Sequence, residues 1–158
     1  MTSPLRPFDE SVRITLDGLL QGYDRVSFES EYLQLVRNCE SPTGIVYVWN
    51  SEREVPRLHG KSRVLYIGKA IGSLSARYTP TNIRADVKTY WTRIFHILKH
   101  FGGISIDVYP TEDPKQSEND FMFCYFQSHL EMPPLNNKPF SMSLLSEAER
   151  NAFYGYAP

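Results

Sequence analysis

The stretches GIVYVW (residues 44–49) and RVLYIG (residues 63–68) decide the fold class, because both are dense in β-branched and aromatic residues. Such residues favour β-strands. The polar segment between them, residues 51–62, contains Pro56 and Gly60, so we expect two strands joined by a loop. This loop is longer than a tight hairpin connection, and its basic side chains could reach a ligand.

The sequence after this hairpin predicts helices and one further strand. Ser73 is a plausible N-cap for a short helix over residues 73–78, and residues 79–82 indicate a break. Apolar residues then recur at intervals of three and four, and two glycines follow, which predicts an amphipathic helix. The expected later elements are a helix over 83–101, a strand over 104–109, a helix from 117 to about 130 and a last helix over roughly 143–153.

These elements predict an α/β protein of the α+β type, with a small central antiparallel sheet of about three strands flanked by helices. Residues 1–41 are expected to form an N-terminal appendage packed on the core, with a short helix near residues 32–36. Residues 42–158 are expected to form the main domain, which ends in a C-terminal helix.

The composition favours an ordinary globular protein. A chain of 158 residues with 41% hydrophobic and 22% charged residues suits one domain with a real core. No long apolar run or apolar leader is visible, so we expect neither a membrane span nor export. Cys39 and Cys124 are far apart and lack zinc-site spacing, which favours free thiols and a reducing, cytoplasmic compartment.

Charge is distributed unevenly along the chain. The net charge is -1, yet residues 57–100 contain nine lysines and arginines and only one acid, Asp86. A basic stretch of this kind is typical of a surface that contacts phosphates, although a solvated helix face is the simpler explanation for a charge run alone.

Four segments, in this order and approximate spacing, resemble the GIY-YIG nuclease domain. They are GIVYVWN (44–50), VLYIGKA (64–70), the arginine of the following short helix (Arg77), and SENDFMFCYFQSHLEMPPLN (117–136). Each segment alone is a weak signal, but the ordered set is specific. The family includes restriction enzymes, homing endonucleases and the incision subunit of bacterial excision repair. The resemblance implies a divalent-metal-dependent DNA endonuclease, with a restriction enzyme as the first expectation.

The resemblance also implies roles for individual residues. Tyr66 would lie beside the attacking water, Gly68 would allow a tight backbone turn, and Asn136 would close the last motif. Lys69 and Arg77 would contact phosphate. Glu118 would be the single carboxylate ligand of Mg²⁺ or Mn²⁺, which is sufficient for a hard cation that keeps most of its waters.

The chemistry constrains the role of Tyr66. Phosphodiester hydrolysis needs an oriented water, neutralised nonbridging oxygens and a stabilised leaving group. A phenol with a pKa near 10 acts as a base only where nearby cations such as Lys69 or Arg77, or the metal, favour phenolate. Otherwise Tyr66 orients the water.

The first motif departs from the family pattern. The family's tyrosine is expected at position 46, where this chain has valine. Because side chains alternate along a strand, Tyr47 should point away from the Val46 direction unless a bulge resets the register. Tyr47 is therefore a candidate catalytic residue with packing as the favoured alternative, and we expect Tyr66 to be the remaining phenol that positions water.

Candidate nucleic-acid contacts come from the basic stretch and from the motifs. They are Arg57, Lys61, Gly68, Arg84, Lys88 and Asn136. His96 and His100 are one helical turn apart but lack an evident third metal ligand, while His129 and Glu131 could support the metal or serve as packing and capping residues.

The expected partner is double-stranded DNA, and a two-strand cut would suit a homodimer. Three alternatives remain open at this stage. They are a binding module that has lost turnover, a small DNA-repair or mobile-element nuclease, and a protein-interaction domain without nucleic-acid affinity.

Overall fold

The computed structural model describes residues 10–39 and 42–153. The strands are β1 (Ile14–Thr15), β2 (Ile45–Pro56), β3 (Lys61–Ala70) and β4 (Ile104–Pro110). The α-helices are α1 (Arg25–Arg37), α2 (Leu74–Arg77), α3 (Pro80–Phe101), α4 (Pro114–His129) and α5 (Glu147–Phe153). Short 3₁₀ turns occupy Glu10–Val12 and Met142–Leu144.

The strands form one antiparallel sheet in the order β1-β4-β2-β3. The predicted α+β class, with an antiparallel sheet flanked by helices, is therefore confirmed. The sheet has four strands instead of about three, because Ile14 and Thr15 pair with β4. Two residues are too few to show the alternation by which a strand is recognised in sequence.

The predicted loop over residues 51–62 is wrong, because most of it belongs to the strands. β2 continues to Pro56, β3 begins at Lys61, and the Arg57 N–H donates to the Gly60 carbonyl at 3.0 Å across the turn. Register shifts interrupt the pairing near Asn50, where the Arg63 guanidinium donates to the Ser51 carbonyl at 2.8 Å. Side-chain hydrogen bonds thus stabilise a stretch whose composition resembles a loop.

Helix starts also differ from the prediction, by three residues in α3 and α4. Each of these helices begins with proline, after a side-chain cap from Thr79 in one case and Asp113 in the other. Proline suits the first helical turn because its missing N–H has no partner there. α5 begins at Glu147 instead of 143, since Ser146 and Glu149 form reciprocal side-chain to backbone bonds of 3.2 and 2.7 Å.

The sheet separates two hydrophobic clusters. Alternate residues of β2 point to opposite faces, so Tyr47 packs in the larger cluster with α1 and α3 side chains, while Val46 packs in the cluster that includes α4. The N-terminal segment belongs to the larger cluster through Phe28 and Tyr32, both fully buried. Among the described helices, none is long and apolar enough to span a bilayer.

Candidate active site

The motif strand β3 lies at the edge of the sheet, and the segment after α4 covers its free side. The Leu135 N–H donates to the Leu65 carbonyl at 2.9 Å. The Asn136 side chain then bonds both backbone groups of Ile67, accepting from its N–H at 2.9 Å and donating to its carbonyl at 2.9 Å. Asn136, which was predicted to bind nucleic acid, therefore holds the motif strand in position.

Replacing Asn136 with alanine should destabilise the protein, because both polar groups of Ile67 lose their partner. We expect a loss of roughly 1–3 kcal/mol in the free energy of unfolding. Urea denaturation measures this loss. Asn137→Ala is the matched control, since Asn137 is exposed and its bonds are to side chains, donating to the Tyr90 hydroxyl at 2.8 Å and accepting from Arg93 at 3.4 Å. Equal losses in both variants would contradict the account.

Two adjoining cavities open beside β3. The aromatic cavity encloses about 110 Å³. It is lined by Trp49, Tyr66, Arg77, Tyr78, Asp86, Val87, Tyr90, Ile94 and Leu135. The Glu118 cleft encloses about 450 Å³, and its polar lining includes Tyr66, Lys69, Tyr90, Lys115, Glu118, Asn136 and Lys138. Tyr66 and Tyr90 line both cavities, so the two spaces are neighbours.

Glu118 and Lys69 form the central ion pair of the Glu118 cleft. Lys69 Nζ lies 2.6 Å from Glu118 Oε2, and the side chains are 16% exposed for Glu118 and 40% for Lys69. Lys69 is opposite Val46 in the sheet register, which directs it to the α4 face. Glu118 sits in the second turn of α4, because the helix begins at Pro114, three residues before the start expected from sequence.

Glu118 fits a single-carboxylate site for a hard divalent cation. Its Oε2 binds Lys69, whereas its Oε1 accepts no hydrogen bond within the described ranges 10–39 and 42–153. Over those same ranges, no three His, Cys, Asp or Glu side chains converge as a preformed metal cage. Mg²⁺ and Mn²⁺ sites built from one or two carboxylates and several waters need no such cage.

Tyr47 lies on the same face as Tyr66, and no bulge is needed to bring it there. In the register, Tyr47 is opposite Gly68 and Trp49 is opposite Tyr66, with no shift between residues 45 and 49. The rings of Tyr47 and Tyr66 are 5.9 Å apart. Tyr47 thus points away from the Val46 direction, as the alternation of strand side chains predicted, and this direction is the side that Tyr66 shares.

Tyr47 is a packing residue that does not reach either cavity. It is only 1% exposed, it lines neither of the two cavities, and its hydroxyl accepts from the Tyr78 hydroxyl at 2.9 Å. Burial raises its pKa well above 10. A buried, neutral phenol packs and positions its neighbours, which agrees with the packing alternative for this residue.

Tyr66 is also held as a neutral phenol. Burial raises its pKa, and the negative charges of Glu118 and Asp86 add to the rise, against the lowering influence of the Tyr47 hydroxyl and Arg77. The cations near Tyr66 therefore do not favour phenolate overall. At neutral pH a neutral hydroxyl in this position can orient a water.

Gly68 provides space rather than a turn, contrary to the prediction. Its backbone lies inside β3 and is not in the positive-φ region. A Cβ at this position would lie 2.5 Å from the Cζ and hydroxyl oxygen of Tyr47 and 2.7 Å from Cε1 of Tyr66. The two tyrosine rings therefore occupy the volume of a side chain at 68, and Gly68 is buried away from a nucleic-acid ligand.

Arg77 ends the short helix α2 and lines the aromatic cavity. Ser73 caps this helix through a 3.2 Å bond from the Ala76 N–H, as the sequence predicted. The next residue, Tyr78, is buried and anchors the chain. The Arg77 guanidinium carbon lies 5.1 Å from the centre of the Tyr78 ring, a cation–π contact, and Arg77 is an exposed residue.

The predicted basic surface is dispersed in the structure. Arg57 is 9% exposed and pairs with Glu131 at 2.9 Å, while Lys61 pairs with Glu54 at 2.7 Å. Arg84 and Lys88 are exposed on α3, and Arg84 lines a separate groove against α1. None of these four side chains lines the aromatic cavity or the Glu118 cleft.

The histidine side chains contact other groups of the protein. His59 Nδ1 lies 2.8 Å from the Ser128 carbonyl, and His129 Nδ1 lies 2.9 Å from the His59 carbonyl, so both tie the hairpin tip to the end of α4. His129 is about 16 Å from Glu118 along the helix. His96 and His100 stack at 6.1 Å and are exposed near the end of α3.

Sequence reasoning missed four polar residues of the cavities. Lys115 and Lys138 lie in the Glu118 cleft but outside the basic stretch, and Asp86 and Tyr90 lie on α3. Asp86 was noted only as the lone acid among cations. Asp86 and Tyr90 are four residues apart, so both lie on one face of the helix. This spacing was the signal in the sequence that could have identified them.

Comparison of the chain with protein-family models, with curated proteins and with solved structures gave no match.

Proposed function

We propose that the protein is a divalent-metal-dependent DNA endonuclease of the GIY-YIG type. The observation that carries the proposal is the position of Tyr66, which lines both cavities between Arg77 and the Lys69–Glu118 pair. An orienting phenol, a phosphate-binding guanidinium and a metal-binding carboxylate are the parts that phosphodiester hydrolysis requires. They come from β3, α2 and α4.

Different residues of the chain bind the phosphate and orient the water. Arg77 presents a planar fork of donors to the nonbridging phosphate oxygens, and Lys69 adds a movable positive charge. Tyr66 holds the attacking water through its neutral hydroxyl. Asn136 fixes Ile67, and therefore the strand from which Tyr66 and Lys69 project.

The cation belongs at Glu118. When bound there, Mg²⁺ or Mn²⁺ supplies a Lewis acid that stabilises negative charge on the phosphate and the leaving oxygen. Lys69, which pairs with Glu118, is near enough to share the carboxylate with a cation or to transfer its charge to the substrate.

The rim of the Glu118 cleft provides the path for the DNA backbone. Lys115 and Lys138 are exposed and flank Glu118 together with Lys69. Each should contact a phosphate and release counterions when duplex DNA binds. This path replaces the one expected from Arg57, Lys61, Arg84 and Lys88.

Lys115→Ala and Lys138→Ala should each weaken duplex binding and reduce the slope of log affinity against log salt by about one. The slope is measured on a labelled duplex in EDTA, so that binding is separated from cleavage. Lys61→Ala is the control, because Lys61 is exposed but paired with Glu54 away from the cleft. An unchanged slope in both rim variants, or a matching drop in Lys61→Ala, would contradict this path.

A nucleic-acid-binding module without turnover is the second candidate. It is favoured by one observation, the engagement of Glu118 by Lys69 at 2.6 Å. A labelled duplex with the native protein in Mg²⁺, Mn²⁺ or EDTA separates the two functions. The endonuclease yields shortened fragments only with the metal, whereas the binding module retards the duplex and leaves it intact under all three conditions.

A further inference from the structure

Asp86 is a carboxylate in the aromatic cavity for which the fold gives no structural reason. It lies in α3 beyond the first turn, so it does not cap that helix. Within residues 10–39 and 42–153, no hydrogen bond or ion pair engages its side chain, although it is about half buried. Burial removes water from a carboxylate, which carries a cost when no protein group replaces that water.

The surroundings of Asp86 point to a water or a substrate group as its partner. It shares the aromatic cavity with Tyr66 and Arg77, the residues proposed to hold the attacking water and the phosphate. The cavity volume of about 110 Å³ is well above the roughly 10–15 Å³ that one water needs. A water in this space can lie between the phenol, the carboxylate and a phosphate bound to Arg77.

Three phenols of the site are poor proton acceptors. Tyr66, Tyr47 and Tyr78 all have a pKa raised by burial, so none is phenolate near neutral pH. Glu118 is paired with Lys69 in the neighbouring cleft. Asp86 is the carboxylate among the residues that line the aromatic cavity.

We propose that Asp86 is the general base of the reaction, an inference that rests on the proposed nuclease function. Its carboxylate takes a proton from the water that Tyr66 orients, and the water oxygen forms a bond to phosphorus. The phosphorus bond to the leaving deoxyribose oxygen breaks, and that oxygen keeps the electron pair and takes a proton from solvent. Asp86 then returns its own proton to solvent.

The electrostatics of the cavity suit this role. Burial raises the pKa of Asp86, and the positive charge of Arg77 opposes that rise. A base whose pKa moves toward the working pH accepts a proton more readily. The titratable groups around Asp86 are Arg77 and Tyr78 from α2 and its end, Tyr66 from β3, Tyr32 from α1 and Tyr90 from its own helix.

The proposed role of Asp86 predicts that the cleavage rate rises with pH. Only the deprotonated carboxylate accepts a proton, so the cleavage rate rises as pH rises through the pKa of Asp86 and then levels off. Because that pKa is raised, the rise lies above the range of an exposed aspartate. A phenol acting as the base would instead place the rise above pH 10, since the pKa of Tyr66 is raised from that value.

Single-turnover cleavage of a duplex, measured across pH at saturating Mg²⁺, tests the assignment with Asp86→Asn. We expect the variant to cleave about 10²–10⁴-fold more slowly at neutral pH and to lose the low-pH rise, so that its rate follows hydroxide concentration. Duplex binding in EDTA should stay within about twofold of native or become tighter, because a negative charge near the phosphate is removed. A merely structural role predicts weaker binding and a lower melting temperature.

Asp120→Asn is the matched control, because burial also raises the pKa of Asp120, which lies on α4 and is held by Gln116. This variant should keep the native rise and rate. Cleavage by Asp86→Asn with the native rise would overturn the assignment of the base while leaving the nuclease intact. A native protein that cleaves no duplex under any of these conditions would overturn both proposals.

Discussion

Arg77→Ala should lower the rate of DNA cleavage by about 10²–10³-fold, the usual effect of removing one positioned donor from a developing negative charge. Arg77 lines the aromatic cavity beside Tyr66, and it is an exposed residue in contact with the Tyr78 ring. Single-turnover rates at saturating enzyme measure this effect. Arg77→Lys should recover only part of the rate, since an ammonium group cannot bind two oxygens with a planar fork.

The control for Arg77→Ala is Arg84→Ala. Arg84 is also an exposed arginine close in sequence, but it lines a groove between α1 and α3 outside both cavities. Arg84→Ala should cleave within about twofold of native. Loss of the same size in both variants would show that general charge, not the position of Arg77, determines the rate, and would contradict the proposed site.

Gly68→Ala should both destabilise the fold and disable the site. The added Cβ would lie 2.5 Å from Tyr47 and 2.7 Å from Tyr66, so both rings must move. Overpacking of this kind costs about 1–3 kcal/mol in the free energy of unfolding. Cleavage should fall by about 10²-fold or more, because small misplacements of orienting groups have effects of that size. Urea denaturation and cleavage rates measure the two losses.

Gly72→Ala is the control for Gly68→Ala. A Cβ at Gly72 would meet its nearest neighbour, the Ala76 Cβ, at an ordinary 3.6 Å. This variant should remain within about 0.5 kcal/mol of native, as is usual for substitutions without a steric conflict. If Gly68→Ala were as stable and as active as Gly72→Ala, the tyrosine packing described here would be wrong.

The local elements were largely predictable because they depend on short-range patterns. The β-branched stretch at 44–49 and the apolar spacing along 83–101 correctly indicated a strand and a helix. Predictions failed where a side chain alters the structure that the local sequence would otherwise favour. Pro80 begins a helix where residues 79–82 indicated a break, and Pro114 begins α4 three residues before its expected start. Hydrogen bonds of Ser51 and Arg63 extend a strand through polar residues.

The site was less predictable, because it depends on which residues the fold brings together. Tyr66, Arg77 and Glu118 were identified through the resemblance, and they line two neighbouring cavities. Arg57 was wrongly assigned to nucleic-acid binding because it is close in sequence to the motif. It is an ion-pair partner of Glu131 at the hairpin. Lys138 reaches the Glu118 cleft from a loop remote in sequence, and no linear pattern indicates such a contact.

Cleavage of supercoiled plasmid by the native protein and by Glu118→Gln, in Mg²⁺, measures whether the proposed nuclease depends on the Glu118 carboxylate. Glutamine removes the charge that would bind the cation, and Glu131→Gln is the matched control, because Glu131 is also paired with a cation but lies at the hairpin tip. We predict nicked or linear plasmid with the native protein and with Glu131→Gln, and a rate at least about 10²-fold lower with Glu118→Gln. Intact plasmid with the native protein, or equal cleavage by native and Glu118→Gln, would contradict a metal-dependent nuclease centred on Glu118.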